Sequence, residues 1–424
     1  MEVRRAFRYR IYPNPEQEKR LLEWENALRF LWNSANEQRL HALRRPRHLR
    51  VYLTAFDQIN ELKAARAEAP WLADVPRNVC AQLLVELDKA WQRCFKRLGE
   101  QPRWKKKGRS VLGICEPHYK NFRIEADQLV FPKIGKMPIV VHRPVQGTPK
   151  TCTIKRDGDQ WFASISCVLD IKDPGPSVKP AVAIDRGVAK ILADSEGHSL
   201  ENPRYLAAAQ VRLARVQRRA SKKKKGSKNR KKATTRVARL HRKVRRQRQH
   251  LLHVSSNRYA NSHGEVVVED LQIANMTASA RGTAEKPGSN VKQKAGLNRA
   301  ILDAGWGDFV DQLSYKMEAT GGRVVEVPAH SSSQTCAVCG HVDSASRLSQ
   351  SEFVCTSCEH RDDADINAAR VLLSRRNDGG AVCRGYGFSR PKMQKLRVAR
   401  RATRSVVCAG AHELSPKAPA FRPG

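Results

Sequence analysis

Nowhere does the chain run for the ~18 uncharged apolar residues of a membrane span. Its opening, MEVRRAFRYRIYP, also lacks the apolar stretch of about 7–15 residues that marks a secretory signal. These two absences point to a soluble, cytoplasmic protein with no membrane partner. Acidic residues are scarce too: 41 Asp and Glu face 79 Lys and Arg, for a formal net charge of +38. Such an excess repels itself unless a polyanion neutralises it, and nucleic acid is the commonest one; acidic proteins and membrane surfaces are the alternatives. Apolar residues are not lacking, at 40% of the chain, which excludes a disordered polyelectrolyte. A disulfide framework is also excluded, because eleven cysteines, an odd number, occur in a long chain without a secretion signal. Seven are scattered (Cys80, Cys94, Cys115, Cys152, Cys167, Cys383 and Cys408) and read as small core residues or surface thiols. The 424 residues suggest two or three domains at ~150 residues each.

Hydrophobic periodicity divides the chain. Residues 6–12 alternate apolar and basic side chains, the period of a half-buried strand, until Pro13-Asn14-Pro15 breaks it. Apolar residues then recur at three and four positions, as in Leu21, Trp24, Leu28 and Cys80, Leu83, Leu84, Leu87, Trp91, so residues 14–100 read as a helical unit. It closes on a basic stretch at 102–109, where Arg103, Trp104 and Lys105 suit phosphate contact and base stacking, or else form an exposed loop with a docked Trp. From 122 to 170 short strands of period two, separated by Gly, Pro and Asp turns, suggest a small barrel. After a Pro/Gly linker at 173–177, the continuous apolar run Ala181–Ile184 begins an α/β domain. Residues 212–248 hold 19 Lys or Arg and no acid. Apolar residues inside that run keep helical spacing, which predicts two basic helices joined at Lys222, Lys223, Lys224, Lys225 and Gly226. A charge run can be a mere solvated face, but the absence of compensating Glu favours a surface lined by phosphates. A strand over 265–269, a polar loop over 277–298 and one helix over about 299–319 follow. The tail from 376 to 424 is basic and rich in Gly, Pro and Arg, the composition of a segment without fixed structure.

The sharpest motif is Cys336-x-x-Cys339, fifteen residues, then Cys355-x-x-Cys358. Two such knuckles supply four thiolates for a closed structural zinc site, which leaves no open position for water and so does no chemistry. A redox CxxC pair lacks its usual context. Directly afterwards comes Arg361-Asp-Asp-Ala-Asp365, opening a helix. Capping explains one of those acids. It does not explain Asp185 and Glu269, each at the end of an apolar strand. Three carboxylates from two strand ends and a helix start have the chemistry of a Mg²⁺ pair that hydrolyses a phosphodiester. Side chains alternate along a strand, so Glu269 and Asp270 cannot both face one centre, and Glu269 is chosen because Leu271 then shares its parity.

The order Ile184-Asp185-x-Gly187, Val268-Glu269-x-Leu271, Asp303-Ala-Gly-Trp306-Gly-Asp-Phe309, Ser332-Ser333-x-x-Cys336 and Asp363-x-Asp365-x-Asn367-Ala-Ala resembles the TnpB proteins of bacterial insertion sequences, relatives of the type V CRISPR effector nucleases. The opening Phe7-x-x-Arg10-x-Tyr12-Pro13-Asn14-x-x-Gln17 is similar too, so the likeness runs from about residue 6 to 373. The resemblance implies a RuvC-like RNase H fold at 178–330 and 360–375 carrying catalytic Asp185, Glu269 and Asp365. It also implies an inserted zinc ribbon at 331–359, a wedge-type β-barrel at 1–12 and 110–177, and a helical recognition insert at 13–109. The implied activity is RNA-guided cleavage of DNA beside a short motif, in the bacterial cytoplasm and at the nucleoid. Guide RNA and double- and single-stranded DNA are the implied partners, one Zn²⁺ and a pair of Mg²⁺ the implied cofactors. The loop 117–121, with Lys120 and Asn121, is a candidate reader of the adjacent motif, or a plain surface loop. Two departures stand out. Ala364 replaces the family's usual Arg between two Asp, and Arg361 can substitute for it only if its loop is rearranged. Arg186 replaces an apolar residue and should point to the face opposite Asp185, where it needs an acidic partner or solvent. An RNA-guided binder without cleavage, including a compact CRISPR effector, is the alternative, and a guide-free zinc-ribbon RNA-binding protein is a third.

Overall fold

The structure, a computed structural model, describes residues 2–108, 110–283, 285–377 and 382–384. The chain divides into the units Met1–Phe388 and Ser389–Gly424, and every described element lies in the first. Most of the tail expected to lack fixed structure therefore falls outside the described residues.

Strand β1 (Glu2–Ile11) buries Val3, Phe7, Tyr9 and Ile11 on one face. Asn14 then caps α1 (Pro15–Arg44): its side chain accepts from Gln17 N at 2.8 Å, and the Gln17 side chain accepts from Asn14 N at 3.0 Å. The helical stretch continues through α2 (Ala55–Glu68), α3 (Pro70–Ala73) and α4 (Arg77–Phe95). Strands β2 (Ile114–Glu116), β3 (Arg123–Glu125), β4 (Gln128–Phe131), β5 (Gly135–Val140), β6 (Thr148–Asp157) and β7 (Gln160–Asp170) join β1 in an antiparallel sheet ordered β2-β6-β7-β1-β5-β4-β3. Among the described residues its edge strands, β2 and β3, do not pair with each other, so the sheet is a half-barrel instead of the closed small barrel that the strand spacing suggests. Both edges are three residues long and joined by a turn whose Asn121 amide donates to Glu116, which leaves too little strand for closure. Helices and sheet share one core, in which Leu21, Trp24, Leu28, Leu84 and Leu87 pack against Tyr9, Ile11 and Ile139.

The second sheet is built from β8 (Ala181–Asp185), β9 (Lys190–Asp194), β10 (Ser199–Glu201), β11 (Glu265–Glu269), β12 (Arg323–Val327) and β15 (Val382–Arg384), in the order β10-β9-β8-β11-β12-β15. β8, β11 and β12 are parallel, while β9 and β10 form an antiparallel extension. Between β10 and β11 stands the basic hairpin of α5 (Tyr205–Ser221) and α6 (Lys228–Ser262). Between β11 and β12 come α7 (Ile273–Met276), α8 (Val291–Ala304) and α9 (Trp306–Ala319). The single helix expected over 299–319 is broken at Gly305, whose φ of +73° favours glycine and whose added Cβ would meet Leu252 Cδ1 at 3.0 Å. Val182, Ile184, Val266 and Val268 pack with α6 and α9, while Ala183, Val267 and Val325 pack with Leu372 of α10 (Ala364–Ser374). Burial on both faces is why these strands are apolar throughout. A small hairpin, β13 (Glu352–Val354) and β14 (Arg361–Asp363), leads directly into α10.

Candidate active site

Strand parity brings the acids together. Asp185 follows Ala183 and Glu269 follows Val267 on the α10 side of the sheet, at the carboxyl ends of adjacent parallel strands. Asp365 lies in the first turn of α10. Its neighbours are otherwise engaged: Asp363 caps the helix through Asp365 N at 3.1 Å and pairs with Lys190 Nζ at 2.6 Å, while Asp362 pairs with Arg370. Burial, then repulsion from Glu269 and Asp365, raises the Asp185 carboxyl from 3.8 to about 7. Burial also raises Glu269, against the lowering effects of the Ser332 hydroxyl and Arg186. Asp365 is raised by burial and by Asp363, against Arg347 and Lys190. Buried Asp185 thus lies within electrostatic reach of both other carboxylates.

Several residues that sequence motifs did not assign hold this centre. Ser332 Oγ donates to Glu269 Oε1 at 3.0 Å. Arg347, on the loop before β13, reaches Asp365 Oδ1 at 3.3 Å. Arg361 lies exposed on β14, so the cation beside Asp365 comes from Arg347. Ala364 is fully buried against Cys336, Phe353 and Cys355, a position with no room for an arginine. Of the two outlets expected for Arg186, solvent is closed: it is buried at 6% exposure, and its guanidinium donates to the backbone carbonyl of Glu269 and lies within electrostatic reach of the Glu269 carboxyl. Gly187 lets the chain turn, since a Cβ there would meet Lys190 O at 2.7 Å. Trp306 Nε1 donates to Gly187 O at 3.1 Å, and its ring packs with Val188, Leu271 and Ile273, the segments that follow both acid-bearing strands. Asp303 serves α5, accepting from Leu206 N at 3.0 Å and pairing with Arg248. The motif spacing hinted at these residues, but only the folded contacts give them roles.

The four cysteines converge. Cys336 and Cys358 sulfurs are 3.7 Å apart, and Cys339 and Cys355 sulfurs 3.5 Å apart. A tetrahedron with metal–sulfur bonds of about 2.3 Å has edges of about 3.8 Å, so the cluster is compatible with a structural zinc. The amides of Cys358 and Ser357 donate to the Cys355 sulfur and pull its thiol down to about 6. Asn367 of α10 ties the first knuckle down, accepting from Ala337 N at 2.9 Å and donating to Thr335 O at 2.8 Å. Among the described residues, one other group of ligating atoms gathers within 4.8 Å, Asp194, Glu196 and His198. It belongs to a turn, where Asp194 accepts from the amides of Glu196 and His198 and from Tyr259 Oη. The three carboxylates are spaced more widely than either cluster.

The residues proposed from sequence for nucleic acid are scattered. Arg103 pairs with Glu100, Lys105 lies 4.3 Å over the Trp32 ring, and Trp104 keeps 44% of its surface exposed. Lys120 is exposed, whereas Asn121 donates to Glu116 at 3.0 Å. Lys222–Lys225 stand exposed at the tip of the α5–α6 hairpin. Part of the basic run is already paired: buried Arg242 and exposed Arg239 pair with Asp159 at 2.8 Å, and exposed Arg245 pairs with Asp157. Among the described residues, no helix is long and apolar enough to cross a membrane.

Residues 164–280 match the family model described as "Probable transposase", residues 306–372 match "Cas12f1-like, TNB domain", and residues 1–47 match a "Helix-turn-helix domain". Here that last span forms β1 and the single long helix α1. The chain is 34% identical over 374 residues to "Putative RNA-guided DNA endonuclease InsQ" of Escherichia coli (strain K12), covering 88% of this chain and 92% of that one. It is 31% identical over 404 residues to "Putative RNA-guided DNA endonuclease" of Streptomyces pristinaespiralis, covering 94% and 95%. A cryo-EM structure of a Cas12f1–sgRNA–target DNA complex shares the fold, with a TM-score of 0.51 at 14% identity, covering 88% of this chain and 98% of that one.

Proposed function

The chain belongs to the TnpB family, and from that membership and the buried acid centre we propose that it is an RNA-guided, Mg²⁺-dependent DNA endonuclease that cuts beside a short adjacent motif. The observation that carries the proposal is the convergence of Asp185, Glu269 and Asp365, whose carboxyls are all raised by burial. An antiparallel trio of strands extended by parallel β11 and β12 supports a RuvC-like RNase H domain around them. Asp185, Glu269 and Asp365 would hold the Mg²⁺, which would supply the charge for activating water and stabilising the leaving oxygen.

The chain's own groups prepare that centre. The Ser332 hydroxyl fixes one Glu269 oxygen, which leaves the other to face the site. The Lys190–Asp363 pair fixes the start of α10 and hence Asp365. Arg347 is the cation best placed to balance charge at a scissile phosphate, the part left open by Ala364. Cys336, Cys339, Cys355 and Cys358 would hold a structural zinc, which would brace the loop and helix carrying Arg347 and Asp365. The basic hairpin, the 102–109 segment and Lys120 supply phosphate-facing charge for guide RNA and its hybrid with target DNA, in which base pairing carries most of the sequence reading.

The test is to copurify the protein with its cellular RNA, sequence that RNA, and incubate the complex with matching double-stranded DNA and Mg²⁺. Cleavage by the wild type and none by Asp185→Ala, with RNA retained by both, is the expected result. Equal cleavage by the two would sink the assignment, and guided binding without cleavage by the wild type would make the protein a targeting module.

A further inference from the structure

Asp185 pairs outward with Ala193 of β9, and Glu269 pairs outward with Val327 of β12. Between them the parallel ladder of β8 and β11 ends one step early, at the rung Ile184↔Val268. The backbone therefore fixes each acid to a different neighbour and forms no rung between the two. The side chain of Arg186 crosses that gap. It leaves the chain directly after Asp185, is buried at 6% exposure, and ends on the backbone carbonyl of Glu269.

We propose that Arg186 is a positioning residue that replaces the missing rung, setting the distance and angle between the Asp185 and Glu269 carboxylates. A guanidinium suits this place because its planar donors span a strand-to-strand gap that an apolar side chain at the same position would leave open. Carbonyl contact also satisfies part of a charge that would otherwise be costly to bury. Buried and ending on a backbone carbonyl, Arg186 acts through the two acids it lies between.

The inference rests on the reading of Asp185 and Glu269 as metal ligands, and the experiment separates the two. Mn²⁺ binding to the full zinc-loaded chain with its RNA is followed by electron paramagnetic resonance, taking Asp185→Ala as the baseline so that only site-dependent binding is counted. Arg186→Met, which keeps the reach and removes the donors, is expected to weaken that binding about tenfold or more, as loss of a ligand-orienting partner does. The Mg²⁺ concentration for half-maximal cleavage should rise by a similar factor, while guide-RNA affinity stays unchanged. Arg186→Lys, which retains a cationic donor, should recover part of the affinity and guards against misfolding of the Met variant. Wild-type Mn²⁺ affinity in Arg186→Met, or no recovery in Arg186→Lys, overturns the role of Arg186 alone. Absence of any Asp185-dependent Mn²⁺ binding in the wild type overturns the metal centre and the inference with it.

Discussion

Asp185 makes the clearest prediction for a single residue. Its carboxyl stands at about 7 in the fold against 3.8 unperturbed, so between those values the folded metal-free protein holds a proton that the unfolded chain has released. Stability of the metal-free protein should therefore fall as pH rises from 3.8 to about 7. Asp185→Asn removes the penalty and should stabilise the metal-free fold at pH 8 by on the order of 2–4 kcal/mol, with no gain at pH 4. Melting curves at both pH values check this, and equal shifts at the two would show that the effect is not electrostatic. Arg347→Ala makes a separate case. It should lower cleavage on the order of 10²-fold while leaving target binding intact, because it removes a cation at the centre and no ligand from it. A gel-shift and a single-turnover cleavage time course distinguish the two effects.

Among the elements, the ribbon hairpin and α10 act together. β13 and β14 follow Arg347 and lead into Asp365, and Asn367 of α10 holds the first cysteine knuckle. Cys355→Ser should therefore reduce zinc well below one per chain and abolish cleavage along with it, although guide-RNA binding by the rest of the molecule persists. Metal analysis and an RNA pull-down on the same preparation test the pairing. Much of this was legible in the sequence, because CxxC spacing, strand-end acids and apolar periods are local signals. Asp185, Glu269 and the α5–α6 hairpin fall where the pattern puts them. What could not be read was long-range. Arg347 meets an acid 18 residues away only after a hairpin forms. The contact of Arg186 with the Glu269 carbonyl joins residues 83 positions apart and exists only once the two strands lie side by side. Gly305 looked like one more residue of a helix, because neither its φ of +73° nor the close approach of α6 is a local signal.

At the scale of the molecule, the +38 charge is not one uniform surface. The turn Asp157-Gly158-Asp159 of the half-barrel pairs with Arg239, Arg242 and Arg245 of α6, burying Arg242 alone of the three, while Lys222–Lys225 stay at the exposed tip. Neutralising those four lysines should lower RNA affinity and reduce the slope of log K against log salt by up to about four, near 0.9 for each phosphate left without its lysine. Replacing Arg239 and Arg242, already paired with carboxylates, should change that slope less. A salt titration of both variants decides whether the tip or the paired stripe meets the phosphates. Gly158 fits the inner pairing, since a Cβ at its φ of +66° would meet Arg242 Nη1 at 2.8 Å.

The burial of Ala364 among Cys336, Phe353 and Cys355 has a consequence for where such a protein can work. Ala364 joins that thiol-lined core directly to Asp365, so oxidants that attack sulfur and ignore carboxylates still reach the cutting step. A pulse of peroxide should leave a guided complex seated on its target but unable to cut, and reduction with zinc should restore it. If the proposed cleavage holds, the cell's thiol buffer thereby becomes a condition of it, although the proposed centre contains no cysteine.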